Sequence, residues 1–165
     1  TLRTAFKENG TVTAGNSSPV NDGASAVILA TKDYAEKHGI PYLAEVVDST
    51  EVGIDPAIMG VSPIEAIKKL INRSELELSD IDLFEINEAF AASSLAVNRE
   101  LGLNESQVNI YGGAIALGHA IGSSGSKILT TLSYALKREQ KRYGIASLCI
   151  GGGLGLAVLL KNPNL

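Results

Sequence analysis

Hydrophobic residues recur along this chain with two periods, one typical of strands and the other of helices. Residues 24–30 form a compact apolar run that predicts a buried strand. The segment that follows, 31–39, predicts a helix that ends at Gly39, since glycine commonly terminates helices. Residues 41–52 are rich in β-branched and aliphatic side chains and predict a second strand.

The middle of the chain predicts two helices with a short strand between them. Residues 62–65 supply a serine as N-cap, a proline at the first helical position and an acidic third residue. Apolar residues follow at one-face helical spacing, and the helix is expected to end near Arg73. Residues 81–86 predict a short strand, and 89–101 predict a helix closed by Gly102.

The last third of the chain adds the strands that complete a sheet. Residues 108–111 resemble the end of a strand, and a long apolar-periodic segment from residue 121 or 123 to residue 137 predicts a helix. The runs 144–150 and 154–160 are apolar strands separated by the triglycine 151–153, which is hairpin spacing. Helical and strand segments in this order predict an α/β fold, with a mixed sheet and helices on both faces.

Composition and charge are those of a soluble globular domain. The 165 residues are 45% hydrophobic and 19% charged, which is enough to bury one sizeable core. The net charge is −4 and the basic residues are scattered except at 137–142, so a nucleic-acid-binding surface is not expected. That basic run is explained by the last turn of a helix, where cations suit the helix dipole.

Cysteine and histidine usage argues against disulfides and metals. Cys149 is the only cysteine, so no internal disulfide can form. The two histidines, His38 and His119, have no cysteine or carboxylate at ligand spacing, and no metal site is expected. The sequence has no basic-then-apolar leader and no apolar run near twenty residues, and it does not begin with Met. We therefore expect a cytoplasmic location and a longer parent protein, with no membrane contact.

The stretch 112–125 carries the clearest candidate for chemistry. It reads Gly-Gly-Ala-Ile-Ala-Leu-Gly-His-Ala-Ile-Gly-Ser-Ser-Gly and places His119 among five glycines, between a predicted strand end and a predicted helix. Such a loop can bend sharply and expose the imidazole beside a ligand. The alternative is a packing turn that contains an incidental histidine.

Two other stretches add an amide and a thiol. Asn87 stands at a predicted junction between a strand and a helix, where catalytic side chains are common in α/β proteins, although it could simply cap that helix. Cys149 precedes the triglycine, although a lone cysteine can be an inert core residue. The triglycine could be a tight hairpin turn or a weak mimic of a phosphate loop. No Lys-Ser or Lys-Thr follows it, which excludes a Walker loop.

Together these stretches resemble the thiolases. The similarity lies in Asn-Glu-Ala-Phe at 87–90, in the glycine and histidine loop at 112–125, and in C-x-G-G-G-x-G at 149–155, which occur in the family's order. Residues 10–23 are similar to a fourth family stretch. Ala120 departs from the pattern, because the family usually has proline after this histidine.

The resemblance implies the fold and the activity. Residues 40–165 would be the thiolase C-terminal domain, one of two similar halves of a five-layer αβαβα fold, and 1–39 the loop, closing strand and helix of the N-terminal domain. The activity would be acyl transfer between coenzyme A thioesters, from two acetyl-CoA to acetoacetyl-CoA and CoA or the reverse. The implied substrates are acyl-CoA and CoA, with no further cofactor, and the intact enzyme would be a homo-oligomer.

The resemblance also implies roles for individual residues. His119 would activate the acyl-accepting cysteine and donate to the thioester oxygen of the second substrate, while Asn87 would hold a water that donates to the same oxygen. Cys149 would remove and return the α proton of the second thioester, and a lowered pKa of its thiol is expected beside His119 and the triglycine. The backbone N–H of Gly151 would bind the oxyanion of the acyl-enzyme. The positions that match the pantetheine channel are Phe6, Ala14, Ser18, Met59, Ala89 and Phe90.

The acyl-accepting cysteine of thiolases is absent from these residues, because it belongs to the first half of the family's fold. We therefore expect the chain to be inactive alone and to expose apolar surface, residues 24–30 included, that meets the missing N-terminal half. Two alternatives remain open. A ketoacyl synthase shares the fold, although its second-half signature pairs His with His or Asn. The other alternative is that the chain is a noncatalytic half that serves only in interaction.

Overall fold

The computed structural model describes residues 2–165, and within them four strands form one mixed sheet. The strands are β1 (Glu45–Gly53), β2 (Leu83–Ile86), β3 (Tyr143–Ile150) and β4 (Leu154–Lys161). Their order in the sheet is β1-β4-β3-β2. β3 pairs antiparallel with β4 and parallel with β2, whereas β1 pairs antiparallel with β4. The predicted α/β class and mixed sheet are therefore confirmed.

Helices cover both faces of this sheet, as the sequence predicts. Successive residues of β2 point to opposite faces: Phe84 packs with Ile67 of α2, whereas Leu83 packs with Leu132 of α5. Each face thus has its own apolar cluster of fully or nearly fully buried side chains. The helices are α1 (Lys32–Lys37), α2 (Ser62–Arg73), α3 (Ala91–Leu101), α4 (Ala114–Leu117) and α5 (Ser124–Arg138).

Glycines end the helices and form the hairpin where the sequence predicts them. Gly39 and Gly102 adopt positive φ angles after α1 and α3, which closes each helix. The β3–β4 turn contains Gly152 and Gly153, with φ of +88° and +86°. A Cβ at Gly153 would lie 2.3 Å from the Ile54 carbonyl oxygen, so the turn packs directly on the chain that follows β1.

The prediction of a buried strand at residues 24–30 is wrong. This segment has no regular secondary structure, and Ile28 is 99% exposed. An apolar run becomes a sheet strand only where a neighbouring edge can pair with it, and the segment pairs with none of the four strands. It is held by Ser25, whose hydroxyl donates to the Ser123 carbonyl at 2.6 Å.

The strand end predicted at residues 108–111 is also wrong, apart from a single bridge between Val108 and Phe84. Asn109 leaves the extended conformation with φ of +48°. Its side-chain amide takes over the pairing, accepting from the Ile86 N–H and donating to the Ile86 carbonyl, both at 2.8 Å. Side-chain hydrogen bonds thus replace the ladder that a fifth strand would make.

Ser62 does not cap α2 as predicted. It is the first residue of the helix, it is fully buried, and its hydroxyl donates to the Leu154 carbonyl at 2.7 Å. This bond fastens the start of α2 to β4. A further difference is that the glycine and histidine stretch is not all loop, because it contains the four-residue helix α4.

The described residues contain neither a membrane-spanning helix nor a cluster of metal-binding side chains. Among residues 2–165 no helix combines the length and apolarity needed to cross a bilayer. Within the same residues no three His, Cys, Asp or Glu side chains gather as a metal site requires.

Candidate active site

Asn87 lies immediately after β2 and turns its side chain toward His119. Its backbone N–H donates to the Ser147 carbonyl at 2.9 Å, which continues the parallel pairing of β2 with β3. The side chain is 7% exposed, and its Nδ2 lies 3.4 Å from His119 Nε2. The helix that follows begins only at Ala91, with Phe90 as its N-cap, so Asn87 does not cap it.

The imidazole of His119 is oriented by Ser124. His119 Nδ1 lies 2.6 Å from Ser124 Oγ, which also lies 3.0 Å from the Ala120 carbonyl. The carbonyl can only accept, so the hydroxyl proton points to it and the serine oxygen accepts from Nδ1–H. This assignment leaves Nε2 unprotonated on the side that faces Asn87, where it can accept a proton.

The surroundings of His119 favour its neutral form. Burial lowers the pKa of the imidazole below its ordinary value of 6.5, and the positive charge of Lys127 lowers it further. A neutral imidazole at pH 7 is the form that can remove a proton from a thiol.

Glu88 holds the loop that carries His119. Its carboxylate accepts from Asn109 Nδ2 at 3.4 Å and from the Ile115 N–H at 3.3 Å. A Cβ at Gly113 would lie 2.1 Å from the Glu88 carboxyl carbon, so a side chain at this position would displace the carboxylate. Residues 87–90 and 112–125 are therefore interlocked.

Cys149 lies near the end of β3, two residues beyond Ser147, and its thiol is half-buried and free. Because β2 and β3 are parallel, Cys149 and Asn87 lie at the same edge of the sheet. No hydrogen bond joins the thiol to Asn87 or His119 within residues 2–165. Burial raises the pKa of this thiol, which corrects the lowered pKa that the sequence suggested. The reason is that desolvation outweighs stabilisation by the backbone.

Gly151 starts the β3–β4 turn and is exposed. A Cβ at this position would meet nothing within 4 Å. A side chain at residue 151 would therefore meet no neighbour, and the position does not require glycine for lack of space.

Four of the six predicted pantetheine positions gather on one patch. The rings of Phe6 and Phe90 meet edge to face with centroids 5.8 Å apart, and the Ser18 N–H donates to the Ala89 carbonyl at 3.0 Å. Ala14 begins the short 3-10 helix Ala14–Asn16 and is exposed. The half-buried Met59 lies in another 3-10 helix, Pro56–Val61.

Apolar side chains remain exposed on the loop that carries the histidine. Leu117 and Ile121, which stand two residues to either side of His119, are 58% and 82% exposed. A cavity of about 310 Å³ is lined by residues that include Glu88, Asn98 and Ile115, but not by Asn87, His119 or Cys149.

Sequence reasoning missed several residues that position His119. Ser124 belongs to the glycine and histidine motif, so the motif itself could have pointed to it. Asn21 accepts from the His119 N–H at 3.0 Å, and Lys127 donates to the Gly118 carbonyl at 3.2 Å. Asn21 lies 98 residues before His119, and no local pattern indicates its partner.

These observations define an α/β domain that presents an imidazole, an amide and a thiol where parallel strands end. Residues 40–162 match the family model described as "Thiolase, C-terminal domain", and residues 1–33 match "Thiolase, N-terminal domain". The chain belongs to the thiolase family.

Relatives and solved structures agree with this assignment. The chain is 49% identical to an acetyl-CoA acetyltransferase of Paracoccus denitrificans over 162 residues, and 53% identical to a probable acetyl-CoA acyltransferase of Staphylococcus aureus over 159. These alignments cover 98% and 96% of the chain but only 41% and 40% of the relatives. Human mitochondrial 3-ketoacyl-CoA thiolase in complex with CoA superposes with a TM-score of 0.95 at 49% identity, over 98% of this chain and 41% of that one. The Bacillus anthracis acetyl-CoA acetyltransferase gives the same TM-score and coverage at 45% identity.

Proposed function

We propose that this chain supplies the histidine, amide and cysteine acid/base of an enzyme that transfers acyl groups between coenzyme A thioesters. The observation that carries the proposal is the meeting of Asn87 Nδ2 and His119 Nε2 at 3.4 Å, at the same edge of the sheet as Cys149. The reaction is acetyl transfer between two acetyl-CoA molecules to give acetoacetyl-CoA and CoA, or its reverse. The names of the relatives, an acetyl-CoA acetyltransferase and a 3-ketoacyl-CoA thiolase, are the basis for choosing acetyl and 3-ketoacyl groups.

In the first half-reaction His119 Nε2 accepts the proton of an acyl-accepting thiol, and the resulting thiolate attacks the thioester carbonyl. The neutral imidazole with an unprotonated Nε2 supports this role. The backbone N–H of Gly151 donates to the oxyanion that forms. The acyl-accepting thiol comes from a cysteine outside these 165 residues, because Cys149 is assigned another role.

Cys149 acts as the acid and then as the base. As a thiol it protonates the departing CoA thiolate, and as a thiolate it removes the α proton of the second thioester. A raised pKa suits both steps, because the thiol is present at neutral pH and the thiolate, once formed, is a stronger base. His119 and a water on Asn87 donate to the thioester oxygen of the carbanion.

We also infer the domain division and the partner. Residues 1–39 belong to the N-terminal thiolase domain and residues 40–165 form the C-terminal domain. Phe6, Ala14, Ser18, Met59, Ala89 and Phe90 face the pantetheine arm of CoA, without a further cofactor. The exposed side chains of Ile28 and Ile121 support contact with the rest of the N-terminal half. A cytoplasmic homo-oligomer remains our expectation for the intact enzyme.

The test is cleavage of acetoacetyl-CoA with free CoA, assayed for the full open reading frame and for the 165-residue chain. The full product should turn over, and His119→Asn should abolish turnover, whereas His38→Asn on the exposed end of α1 should not. The 165-residue chain should be inactive. Turnover by that chain alone that is lost in Cys149→Ala would contradict the assignment of the acyl-accepting thiol.

A further inference from the structure

The positive charge of Lys127 lies at an electrostatically unfavourable position. It lies half-buried in the first turn of α5, where the helix dipole opposes a positive charge. Within residues 2–165 no carboxylate lies within ion-pair distance of its ammonium, whereas Lys32, Lys68 and Lys141 all have one. The position of the ammonium therefore needs another explanation.

The ammonium of Lys127 is bound to the backbone immediately before His119. Nζ donates to the Gly118 carbonyl at 3.2 Å, and the N–H of the same peptide group, that of His119, donates to Asn21 Oδ1 at 3.0 Å. The peptide that carries the imidazole is thus held at both of its polar ends. Gly118 has φ of +95°, and a Cβ there would lie 2.7 Å from Asn21 Oδ1, so this arrangement requires glycine.

A buried carboxylate lies on the face of the sheet that α5 covers. Glu85 is 4% exposed and follows Leu83 by two residues on β2, so it lies on the face of the sheet that α5 covers. Two charged groups act on it: the positive charge of Lys127 favours the carboxylate, and Glu88 opposes it. Burial is the largest influence and raises the pKa of Glu85 to about 7. Lys127 is also the one charged group that acts on His119.

We propose that Lys127 is a positioning residue for His119, and that the buried carboxylate of Glu85 keeps Lys127 on the Gly118 carbonyl. The lysine stem is flexible and its ammonium is strongly hydrated, so without an anion beneath it the side chain would extend into solvent. With Glu85 in place, the ammonium stays inside and fixes the peptide of the catalytic loop. The rate effect rests on the proposed function, whereas the effect on the titration of His119 does not.

The first experiment follows the two histidines of the 165-residue chain by NMR as the pH is changed. Lys127→Met should raise the pKa of His119, because a positive charge that opposes protonation is removed. Lys127→Arg should restore the parent value. His38 serves as an internal reference, and Lys137→Met, on the exposed last turn of the same helix, is the matched control. An unchanged pKa of His119 in Lys127→Met would overturn the proposal.

The second experiment measures turnover by the full open reading frame. Lys127→Met should lower kcat by about ten- to a hundredfold with little change in KM, since a displaced catalytic loop costs rate and not substrate affinity. Lys127→Arg should recover most of the loss. Glu85→Gln should lower kcat in the parent but have no further effect in Lys127→Met, because it acts through the lysine. If the losses of kcat in Glu85→Gln and Lys127→Met add up in the double variant, Glu85 does not act through Lys127. If the full protein turns over no thioester, the proposed function is wrong. The NMR titration of His119 still tests the role of Lys127 in that case.

A stability measurement separates this role from a merely structural one. The folded-state pKa of Glu85 is raised, so ionising it costs stability as the pH rises from 4.5 to about 7. Glu85→Gln should therefore raise the thermal midpoint at pH 8 and leave it almost unchanged at pH 4.5. A more stable protein with lower kcat is the expected result. A loss of stability at pH 8 that parallels the loss of rate would overturn the assignment.

Discussion

Asn87 Nδ2 lies 3.4 Å from His119 Nε2, although 32 residues separate them in the chain. The contact exists because Asn87 directly follows the end of β2 and because Glu88, the next residue, holds the glycine and histidine loop beside that strand end. Two motifs that are distant in sequence are thus joined through a carboxylate between them. This relationship places an amide beside an imidazole in the candidate site.

The neutral state of His119 predicts the pH dependence of acylation. The lowered pKa means that the imidazole stays unprotonated to a lower pH than an ordinary histidine. The midpoint of the acid limb of the acylation rate should therefore lie below pH 6.5. The measurement is the rate of acyl-enzyme formation by mass spectrometry between pH 5 and 8 in the full enzyme. An acid limb above 6.5 would show that His119 is stabilised as a cation.

The raised pKa of Cys149 predicts slow alkylation. Only the thiolate reacts, so iodoacetamide should modify the folded chain more slowly at pH 8 than it modifies the chain in denaturant. The rate should still be rising above pH 9. Because the chain has one cysteine, intact mass reports this site alone. Fast alkylation at pH 7 would contradict the raised pKa and would mean that the pKa of Cys149 is lowered, as the sequence suggested.

The β3–β4 turn offers a matched pair of glycines. Gly152→Ala should destabilise the chain by about 1 kcal/mol, because its φ is positive but nothing lies within 4 Å of a new Cβ. Gly153→Ala should cost about 3 kcal/mol or more, since its Cβ would also collide with the Ile54 carbonyl. Urea unfolding of the two variants measures the difference. Equal losses would mean that the turn can move away from residue 54.

Much of the fold could be predicted from local patterns, because local physics determines those features. The spacing of apolar residues in α2 and α5 and the glycines after α1 and α3 specify where these helices form and end. The alternation of side chains along β2 likewise follows from strand geometry. Motif order predicted that Asn87 and His119 belong to one site, and their side chains meet at 3.4 Å. The role of Cys149 in that site stays a prediction.

The predictions that were wrong concern features that depend on which surfaces of the chain meet in the folded state. The apolar run at 24–30 is hydrophobic enough for a strand, but hydrophobicity does not specify a neighbour. Asn109 replaces a strand ladder with its own amide, and Ser62 bonds to β4 and does not cap α2. The pKa of Cys149 depends on how deeply packing buries it. The pairing of Lys127 with the Gly118 carbonyl likewise appears only in three dimensions.

We propose that Cys149 is the acid/base and not the acyl acceptor. In the full enzyme, Cys149→Ala should still form an acyl-enzyme on another cysteine, because His119 and the Gly151 N–H serve that step. The acyl-enzyme should form more slowly, because the thiol that protonates the departing CoA thiolate is lost. Exchange of the acetyl-CoA methyl protons with deuterated solvent should fall by about a hundredfold or more, together with condensation.

The most direct measurement is deuterium incorporation into the acetyl group of acetyl-CoA, followed by NMR for the parent and for Cys149→Ala, with peptide mass spectrometry to locate the acyl group. We expect rapid exchange in the parent, almost none in the variant, and an acetyl group on a cysteine other than Cys149 in both. Exchange at the parent rate in Cys149→Ala, or an acetyl group found on Cys149, would contradict it.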